Sequence, residues 1–285
     1  MCLTIDVNTK LVGLLGYPLG HSFSSVMHNA AFKKLGLNYL YLPIEVTAEN
    51  LREVAAGIAR MNFAGYNVTI PHKMSIMKYI DRVDELARII GAVNVVSLKS
   101  GAATGYNTDG EGFVRSLQAG AGIRVEGRSF FIVGSGGAAK SIAMTLAFRE
   151  AREILICNRT EQKAHDLAED INTKVKSCSK VVPMQREIMK TALRHAEILV
   201  NTTSVGMHPN DDQMPIDADC LYEDLIVADI VYNPVKTKLL KAAEERGCRT
   251  LGGLGMLVYQ GAEGFRIWTG LEPSVDIMFE AVLSR

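Results

Sequence analysis

Four stretches of the sequence concentrate polar side chains where the chain is expected to turn: GYPLGHSFSSVMHN (16–29), NVTIPHK (67–73), GAVN (91–94) and GYNTDG (105–110). They supply hydroxyls, amides, one lysine and one carboxylate from Ser22, Ser24, Asn67, Thr69, Lys73, Asn94 and Asp109. Loops at strand ends are where α/β proteins build their sites. This set of donors and acceptors suits a small, polyhydroxylated, carboxylated ligand better than a lipid or an aromatic compound.

Lys73 and Asp109 together could move a proton. Reduction of a ketone by hydride produces an alkoxide, and a general acid must hold its proton close to that oxygen. A lysine beside a carboxylate can do this. Lys73 follows a proline that ends the strand AGYNVTI, so we predict that its side chain points towards Asp109.

A second pattern, FFIVGSGGAAKS, indicates a dinucleotide site. Gly134, Gly136 and Ala139 occupy the three positions of G-x-G-x-x-[GA], directly after an apolar strand and before a helix. The first glycine permits a tight turn, the second lets the backbone approach a pyrophosphate, and the helix N-terminus presents N–H groups to anionic oxygens.

The strand after this turn, EILICNRT, favours NADP over NAD. An NAD site usually carries Asp or Glu at the end of the second strand, where the ribose 2′-hydroxyl lies. Here the chain has Asn158, Arg159 and Thr160, with Lys163 close behind. A guanidinium and a second cation suit a 2′-phosphate.

Structural roles remain open for several of these residues. Ser22 and Ser24 could cap the helix that follows, and Asp109 could be a helix N-cap. Asn94 and Asn107 could serve as turn residues, and Arg159 and Lys163 could be solvated residues at a helix start. His21, His28 and His72 show no metal-binding spacing, so we predict no metal site.

Short β-branched runs alternate with segments of helical period along most of the chain, which is typical of βαβ units. The runs LVGLL, YLYLPIEV and AGYNVTI precede TGYNTDG, after which the pattern restarts with SFFIVGSGG, EILICN, EILVNT and LIVADIVY. We therefore predict an α/β protein with two domains. The tail, from MLVYQGAEGFRIW onwards, reads as two helices.

Composition excludes several classes of partner. Of 285 residues, 48% are hydrophobic, and 31 Lys and Arg balance 31 Asp and Glu, so no basic field would attract nucleic acid or a membrane surface. Five cysteines without a CxxC pair indicate neither a disulfide framework nor a zinc site. No signal peptide and no long apolar run are found, and we predict a cytoplasmic protein.

Many short motifs, in order along the whole chain, resemble the shikimate dehydrogenase family: GHSFS, HNAAF, NVTIPHK, GAVN, GYNTDG, GSGGAA, NRT, NTTSVGM, DIVYNP, GGLGMLVYQGAEGF and WTG. The resemblance implies NADPH-dependent reduction of 3-dehydroshikimate to shikimate. It implies a substrate-binding domain with a mixed sheet at 1–106, a Rossmann-type NADP-binding domain with a parallel sheet at 107–250, and C-terminal helices at 251–285 returning to the first domain. It also implies that the site lies in a cleft between the two domains. We expect a monomer or a homodimer.

The resemblance also implies a role for each motif residue. The substrate carboxylate would be bound by Ser22, Ser24 and Tyr232. The substrate hydroxyls would be bound by Asn67, Thr69, Asn94 and Gln260. The catalytic pair would be Lys73 and Asp109. The residues implied at the cofactor are Gly134, Ser135, Gly136, Gly137 and Ala138 at the pyrophosphate, Asn158, Arg159, Thr160 and Lys163 at the adenosine phosphate, and Ile230 and Gly253 at the nicotinamide end.

Three positions depart from the family pattern: Ser25 replaces a proline, Val95 a threonine, and Ser135 an alanine. Val95 removes a hydroxyl next to Asn94, which bears on hydrogen bonding there. Two alternative functions are compatible with these motifs. One is a quinate/shikimate dehydrogenase, and the other is a non-catalytic paralogue that binds a shikimate-like ligand.

Overall fold

The computed structural model describes residues 5–20, 22–99 and 101–284, so His21 and one of the five cysteines, Cys2, lie outside the described residues. The chain divides into two compact units. Unit 1 comprises residues 1–108 and 258–285, and unit 2 comprises residues 109–257. Our predicted boundaries, after residues 106 and 250, differ from this division by a few residues, and the ligand of each unit stays a prediction.

Unit 1 is built on a mixed sheet with the strand order β2-β1-β3-β5-β6-β4. Its strands are β1 (Lys10–Gly16), β2 (Tyr39–Glu45), β3 (Phe63–Val68), β4 (Arg82–Val83), β5 (Val95–Lys99) and β6 (Ala102–Tyr106). The pairs of β1 with β2 and β3, and of β4 with β6, are parallel, whereas β5 runs antiparallel to β3 and β6. The second half of β1 is buried, as expected for a parallel strand covered on both faces.

Helices cover this sheet: α1 (Ser24–Lys34), α2 (Leu51–Ile58) and α3 (Glu85–Ile90), with two more from the end of the chain. Trp268, near the end of the chain, packs directly on the strands and donates its indole N–H to the Val96 carbonyl at 3.0 Å. The close approach requires a glycine on β3, since a Cβ at Gly65 would lie 2.5 Å from the Trp268 ring. The C-terminal segment is therefore part of the core of unit 1.

Unit 2 is built on a wholly parallel sheet with the order β12-β11-β10-β7-β8-β9. Its strands are β7 (Ser129–Val133), β8 (Glu153–Cys157), β9 (Ser179–Val181), β10 (Ile198–Asn201), β11 (Ile226–Asp229) and β12 (Arg249–Leu251). The remaining helices of the chain are α4 (Asp109–Ala121), α5 (Gly137–Phe148), α6 (Glu161–Lys174), α7 (Arg186–Leu193), α8 (Lys238–Glu245), α9 (Leu254–Thr269) and α10 (Val275–Leu283). This is the strand order of a doubly wound dinucleotide-binding fold, which reverses between β7 and β10.

The predicted combination of a mixed sheet and a parallel sheet in an α/β protein is confirmed. Within the described ranges, no helix has the length and apolar character needed to cross a membrane. Nor does any group of three or more His, Cys, Asp and Glu side chains in those ranges come together as a metal site would require.

Candidate active site

The turn after β3 carries Lys73 and is held by backbone hydrogen bonds on both sides. Thr69 N–H donates to the Leu15 carbonyl at 2.9 Å, and Val93 N–H donates to the Lys73 carbonyl at 2.8 Å. The buried His72 ring lies 2.6 Å, nitrogen to oxygen, from the Val46 carbonyl. These contacts hold the Lys73 backbone against the segment that leads to Asn94, while its side chain is half-buried.

Thr69 reaches its position because β1 ends in a glycine. A Cβ at Gly16 would lie 2.3 Å from Cγ2 of Thr69 and 2.8 Å from Cδ2 of Leu19, closer than real Cβ atoms come. The strand itself ends at Val68, so Thr69 is the first residue of the turn and not the last residue of β3. Its carbonyl accepts from His72 N–H at 2.9 Å, which closes the turn.

Asn94 is the centre of a buried hydrogen-bond network in unit 1. Its side-chain Nδ2 lies 3.0 Å from Thr108 Oγ1 and 3.5 Å from Gln260 Oε1, and its Oδ1 accepts from Thr108 N–H at 2.8 Å. Thr108 Oγ1 also donates to the Gln260 carbonyl at 3.0 Å. The structure thus joins two predicted site residues, Asn94 and Gln260, that are 166 positions apart.

Val95 does not deprive Asn94 of partners. The Val95 side chain is fully buried in β5, opposite Asn67 of β3, and the Asn94 amide is satisfied by Thr108 and Gln260 instead. Thr108 was not among the predicted site residues, although it lies in the GYNTDG motif. Its hydroxyl is one of the partners of the Asn94 amide.

Tyr41 is a second residue that the sequence analysis missed. Its side chain is only 1% exposed, and its hydroxyl donates to Asn67 Oδ1 at 2.7 Å. Asn67 Nδ2 in turn donates to the Asn94 carbonyl at 3.0 Å. Burial raises the pKa of Tyr41, and a hydrogen bond with Ser24 opposes that rise, so the phenol stays neutral. The Tyr41 hydroxyl therefore links Ser24 of α1 to Asn67 of β3.

His28 lies under Tyr41 as a neutral aromatic ring. The two rings stack with centroids 4.7 Å apart and planes 13° apart, and the edge of Trp268 closes the cage. Neither ring nitrogen has a hydrogen-bond partner among the described residues, and burial lowers the pKa of His28 to about 3. Stacking against Tyr41 and Trp268 therefore explains the buried position of the His28 ring.

The two serines sit at the start of α1 and partly serve as helix-start residues. Ser22 Oγ accepts from Ser24 N–H at 3.2 Å, while the N-cap residue of the helix, Phe23, makes no side-chain capping bond. Both serines are half-buried. Capping therefore leaves the Ser24 side chain for its contact with Tyr41.

In unit 2, the glycine turn between β7 and α5 has the geometry of an anion cradle. Gly134 has φ +115°, and a Cβ there would lie 2.5 Å from Thr202 Oγ1. Gly136 and Gly137 have open space where a side chain would begin. Gly136 is the N-cap residue of α5 and has no side chain that could occupy the helix N–H groups. The first N–H groups of α5 are thus open to a phosphate, so Gly134, Ser135, Gly136, Gly137 and Ala138 fit a pyrophosphate.

The loop after β8 continues this surface with positive charge. Asn158 Nδ2 donates to the Thr160 carbonyl at 2.9 Å, which shapes the turn into α6. Arg159 and Lys163 are exposed, and neither forms an ion pair with any described residue. Glu161 Oε1 lies 3.5 Å from His165 Nε2. The two cations are thus available to a 2′-phosphate.

A buried carboxylate orders the segment that carries Tyr232. Asp229, at the end of β11, accepts from Asn201 Nδ2 at 2.9 Å, Val231 N–H at 3.0 Å and Thr237 Oγ1 at 2.7 Å. Burial raises the pKa of Asp229, and these three hydrogen bonds oppose the rise. Tyr232 is 36% exposed at the tip of the segment.

Ile230 and Gly253 meet within unit 2. A Cβ at Gly253 would lie only 2.1 Å from the Ile230 carbonyl oxygen, so glycine is required for the contact. The two residues lie beyond the ends of β11 and β12, at the same edge of the sheet as the glycine turn. Lys73 belongs to unit 1, whereas Asp109 is the first residue of unit 2 and of α4.

Comparison with known proteins decides the family. Models of the shikimate dehydrogenase substrate-binding domain, of shikimate/quinate 5-dehydrogenase and of the shikimate 5′-dehydrogenase C-terminal domain match residues 14–96, 118–218 and 253–283. A relative from Methanopyrus kandleri named shikimate dehydrogenase (NADP(+)) is 46% identical over 99% of this chain and 97% of its own. The chain belongs to the shikimate dehydrogenase family. The predicted resemblance is therefore confirmed.

Solved structures of the family agree in fold. A shikimate dehydrogenase in complex with NADP+ is 43% identical, covers 99% of this chain and 97% of its own, and superposes with a TM-score of 0.90. The shikimate 5-dehydrogenase from Listeria monocytogenes in complex with shikimate and NAD is 41% identical. The match covers 98% of each chain and has a TM-score of 0.94. A quinate dehydrogenase from Corynebacterium glutamicum in complex with NAD is 33% identical over 97% of this chain and 99% of its own, with a TM-score of 0.90.

Proposed function

We propose that this chain catalyses the reversible NADPH-dependent reduction of 3-dehydroshikimate to shikimate, a step of chorismate and aromatic amino-acid biosynthesis. The observation that carries the proposal is full-length membership of a family whose relatives are named NADP(+)-dependent shikimate dehydrogenases. Its site chemistry agrees, because neutral amides and hydroxyls in unit 1 form one connected network around Asn94.

The substrate ring is assigned to unit 1. Asn67, Asn94 and Gln260 present amide groups from β3, the 91–94 loop and α9, and Thr69 presents a hydroxyl from the turn beside them. Such groups can pair with ring hydroxyls as donors or acceptors. Ser22 and Ser24, with Tyr232, are assigned to the carboxylate, since hydroxyls at a helix start donate to an anion without a buried countercharge.

Proton transfer is assigned to Lys73 and Asp109. NADPH, when bound, supplies the hydride that adds to the C3 carbonyl carbon. Lys73 donates a proton to the C3 oxygen in that direction and removes it in the reverse direction. Asp109 holds the lysine ammonium and the substrate hydroxyl in line, which is a positioning task as well as an electrostatic one. The fixed backbone of the 69–73 turn limits the positions that the ammonium can occupy.

The cofactor is assigned to unit 2. Gly134, Ser135, Gly136, Gly137 and Ala138 hold the pyrophosphate through backbone N–H groups at the start of α5. The group Asn158, Arg159, Thr160 and Lys163 holds the 2′-phosphate, and Ile230 with Gly253 lies against the nicotinamide end. Open space above Gly136 and Gly137, together with the unpaired cations after β8, supports this assignment.

The proposal extends to the cellular setting and the assembly of the protein. Four cysteines of the described chain, Cys157, Cys178, Cys220 and Cys248, are buried free thiols, which suits a reducing cytoplasm. The equal numbers of acidic and basic residues give no support for nucleic acid or a membrane as partner. We expect a monomer or a homodimer whose partner is its small-molecule substrate.

The function is tested by measuring kcat/KM for shikimate and for quinate, each with NADP+ and with NAD+, by the appearance of reduced nicotinamide absorbance. Shikimate with NADP+ is expected to give the highest value. Highest activity on quinate with NAD+ would assign the chain to the quinate branch of the fold. If neither NADP+ nor NAD+ is reduced with either substrate while shikimate still binds, the chain is a non-catalytic binding protein.

Removing the Tyr41 hydroxyl is expected to weaken substrate binding without stopping the reaction. In Tyr41→Phe, the Ser24 hydroxyl and Asn67 Oδ1 both lose a buried partner. The loss of one such hydrogen bond corresponds to about 1–2 kcal/mol, so KM for shikimate should rise about fivefold to thirtyfold. The kcat should change by less than about threefold, since Tyr41 touches no reacting atom.

The matched control is Tyr39→Phe on the same strand, because no hydrogen bond from the Tyr39 hydroxyl to another described residue is found. It should leave KM for shikimate unchanged. The KM for NADP+ should stay at the wild-type value in both variants. Equal shikimate KM values in Tyr41→Phe and Tyr39→Phe would show that Tyr41 only packs.

A further inference from the structure

Unit 2 contains a groove of about 610 Å³ at the edge of its sheet where the strands begin. It is bordered by the starts of β7, β10, β11 and β12, and by the turns that lead into them. A volume of this size lies within the range of small-molecule sites. The groove is formed by residues of unit 2 alone.

Its charge is strongly positive. Four arginines line the groove, Arg128, Arg152, Arg194 and Arg249, against two acidic residues, Glu197 and Asp224. Two positive charges are therefore uncompensated when His195, which also lines it, is neutral. A chain with equal numbers of acidic and basic residues has concentrated its arginines at this place.

Glu197 orders two of the arginines. It pairs with Arg128 through Oε2, and its Oε1 lies 3.5 Å from Arg152 Nη2 and accepts from Ser129 N–H at 3.2 Å. Burial acts to raise the pKa of Glu197, but the bond from Arg128 and the neighbouring charges hold it below its ordinary value. Glu197 is thus ionised and fully engaged, and it keeps the two guanidinium groups on the wall of the groove.

The other two arginines keep donors for a ligand. Arg249 uses one guanidinium nitrogen to donate to the Ala121 carbonyl, which leaves most of its five N–H groups unused. The guanidinium of Arg194 has no hydrogen bond or ion pair with any residue that the structure describes. Planar guanidinium groups bind phosphate and carboxylate oxygens in pairs.

The remaining lining is apolar or aromatic. Ala196, Ile198 and Ile226 border the groove but are almost fully buried. The half-buried Tyr222 ring supplies an aromatic face, and its hydroxyl donates to the Ala196 carbonyl at 2.6 Å. An inorganic anion would leave this ring without a contact. A ligand that combines an anionic group with a small apolar or cyclic body would cover both.

We propose that this groove is a second ligand site, which binds a small organic phosphate monoester with its dianionic phosphate on Arg194 and Arg249 and its body against Tyr222. The excess of two charges matches a phosphate monoester near neutral pH. The site is distinct from the cofactor site, because the glycine turn follows the opposite end of β7, and a five-residue strand spans about 17 Å.

The test uses phenyl phosphate as the probe and isothermal titration calorimetry on the full chain saturated with NADP+, so that the cofactor phosphates occupy the glycine turn. One saturable site with Kd below ~1 mM at physiological salt is expected, since an exposed arginine pair gives modest affinity. Arg194→Gln should weaken Kd at least tenfold. The matched control, Arg246→Gln, changes an exposed arginine of unit 2 outside the groove and should leave Kd unchanged.

Further arms separate the possible outcomes. Benzoate, a monoanion with the same ring, should bind at least tenfold more weakly than phenyl phosphate. Arg159→Gln should not change the Kd for phenyl phosphate, because Arg159 belongs to the proposed 2′-phosphate site. The absence of saturable binding up to about 10 mM, or equal Kd values for the wild type and Arg194→Gln, would overturn the proposal whatever the result with shikimate.

Discussion

Replacing Lys73 with alanine is expected to lower kcat for shikimate oxidation by ~10²–10⁴, the usual contribution of a general acid or base. The KM for shikimate should change by less than about threefold, because the ring is held by amides and hydroxyls on other elements. Lys73 leaves a turn whose backbone is fixed by Thr69 and Val93, so the loss concerns the ammonium group and not the shape of the turn. Steady-state kinetics with NADP+ in excess provides the measurement.

Lys78→Ala is the matched control, since Lys78 is an exposed lysine five positions further along the chain. Its kcat should equal that of the wild type. A small primary amine added to Lys73→Ala should restore part of the rate, because it can carry the missing proton, and it should not affect Lys78→Ala. A Lys73→Ala variant with near-normal kcat would remove Lys73 from the mechanism and leave the cofactor assignment standing.

Replacing Arg159 with alanine is expected to reduce kcat/KM for NADP+ by about 10²-fold. A bidentate guanidinium–phosphate pair has about twice the strength of a neutral hydrogen bond, and its loss corresponds to about 3 kcal/mol. Arg159 is exposed and pairs with no described carboxylate, so the substitution removes no contact within the protein that the structure describes. The effect should lie in KM for NADP+, because the 2′-phosphate is remote from the reacting carbon.

NAD+ gives an internal control for this variant, because it lacks the 2′-phosphate. The kcat/KM for NAD+ should be the same in Arg159→Ala and the wild type, so that the preference for NADP+ falls by the full factor. Lys163→Ala should show a smaller loss of the same kind, as a single ammonium forms no bidentate pair. A parallel loss with both cofactors would mean that Arg159 supports the loop and does not bind the phosphate.

Sequence patterns predicted those candidate site residues whose chemistry can be recognised from local sequence alone. Glycine spacing after an apolar run located the turn at Gly134, and polar residues at strand ends and in turns pointed to Asn67 and Asn94. In the first case the backbone geometry, φ +115° at Gly134, explains why the residue must be glycine. In the second, the two amides lie on adjacent segments because the end of β3 pairs with the start of β5 in the sheet.

The missed residues look like core residues or turn residues in sequence. Tyr41 alternates with Tyr39 along β2, which is the pattern of any aromatic strand, and only the fold shows that its hydroxyl meets Asn67. Thr108 lies in a sequence pattern typical of a turn, yet its hydroxyl donates to the carbonyl of Gln260, 152 positions away. Asp229 lies in the apolar run LIVADIVY, and one of its three donors, Asn201, comes from a strand 28 positions away. Contacts between distant segments leave no local signal.

The C-terminal helices have a consequence for how the chain is made. Unit 2 is continuous in sequence, whereas the core of unit 1 includes Phe265 and Trp268, which pack on His28. A ribosome delivers residues in order, and domains generally fold as units during synthesis. The core of unit 1 can therefore be completed only after the last thirty residues have been synthesised. We expect unit 1, whose first hundred residues are synthesised first, to finish folding after unit 2.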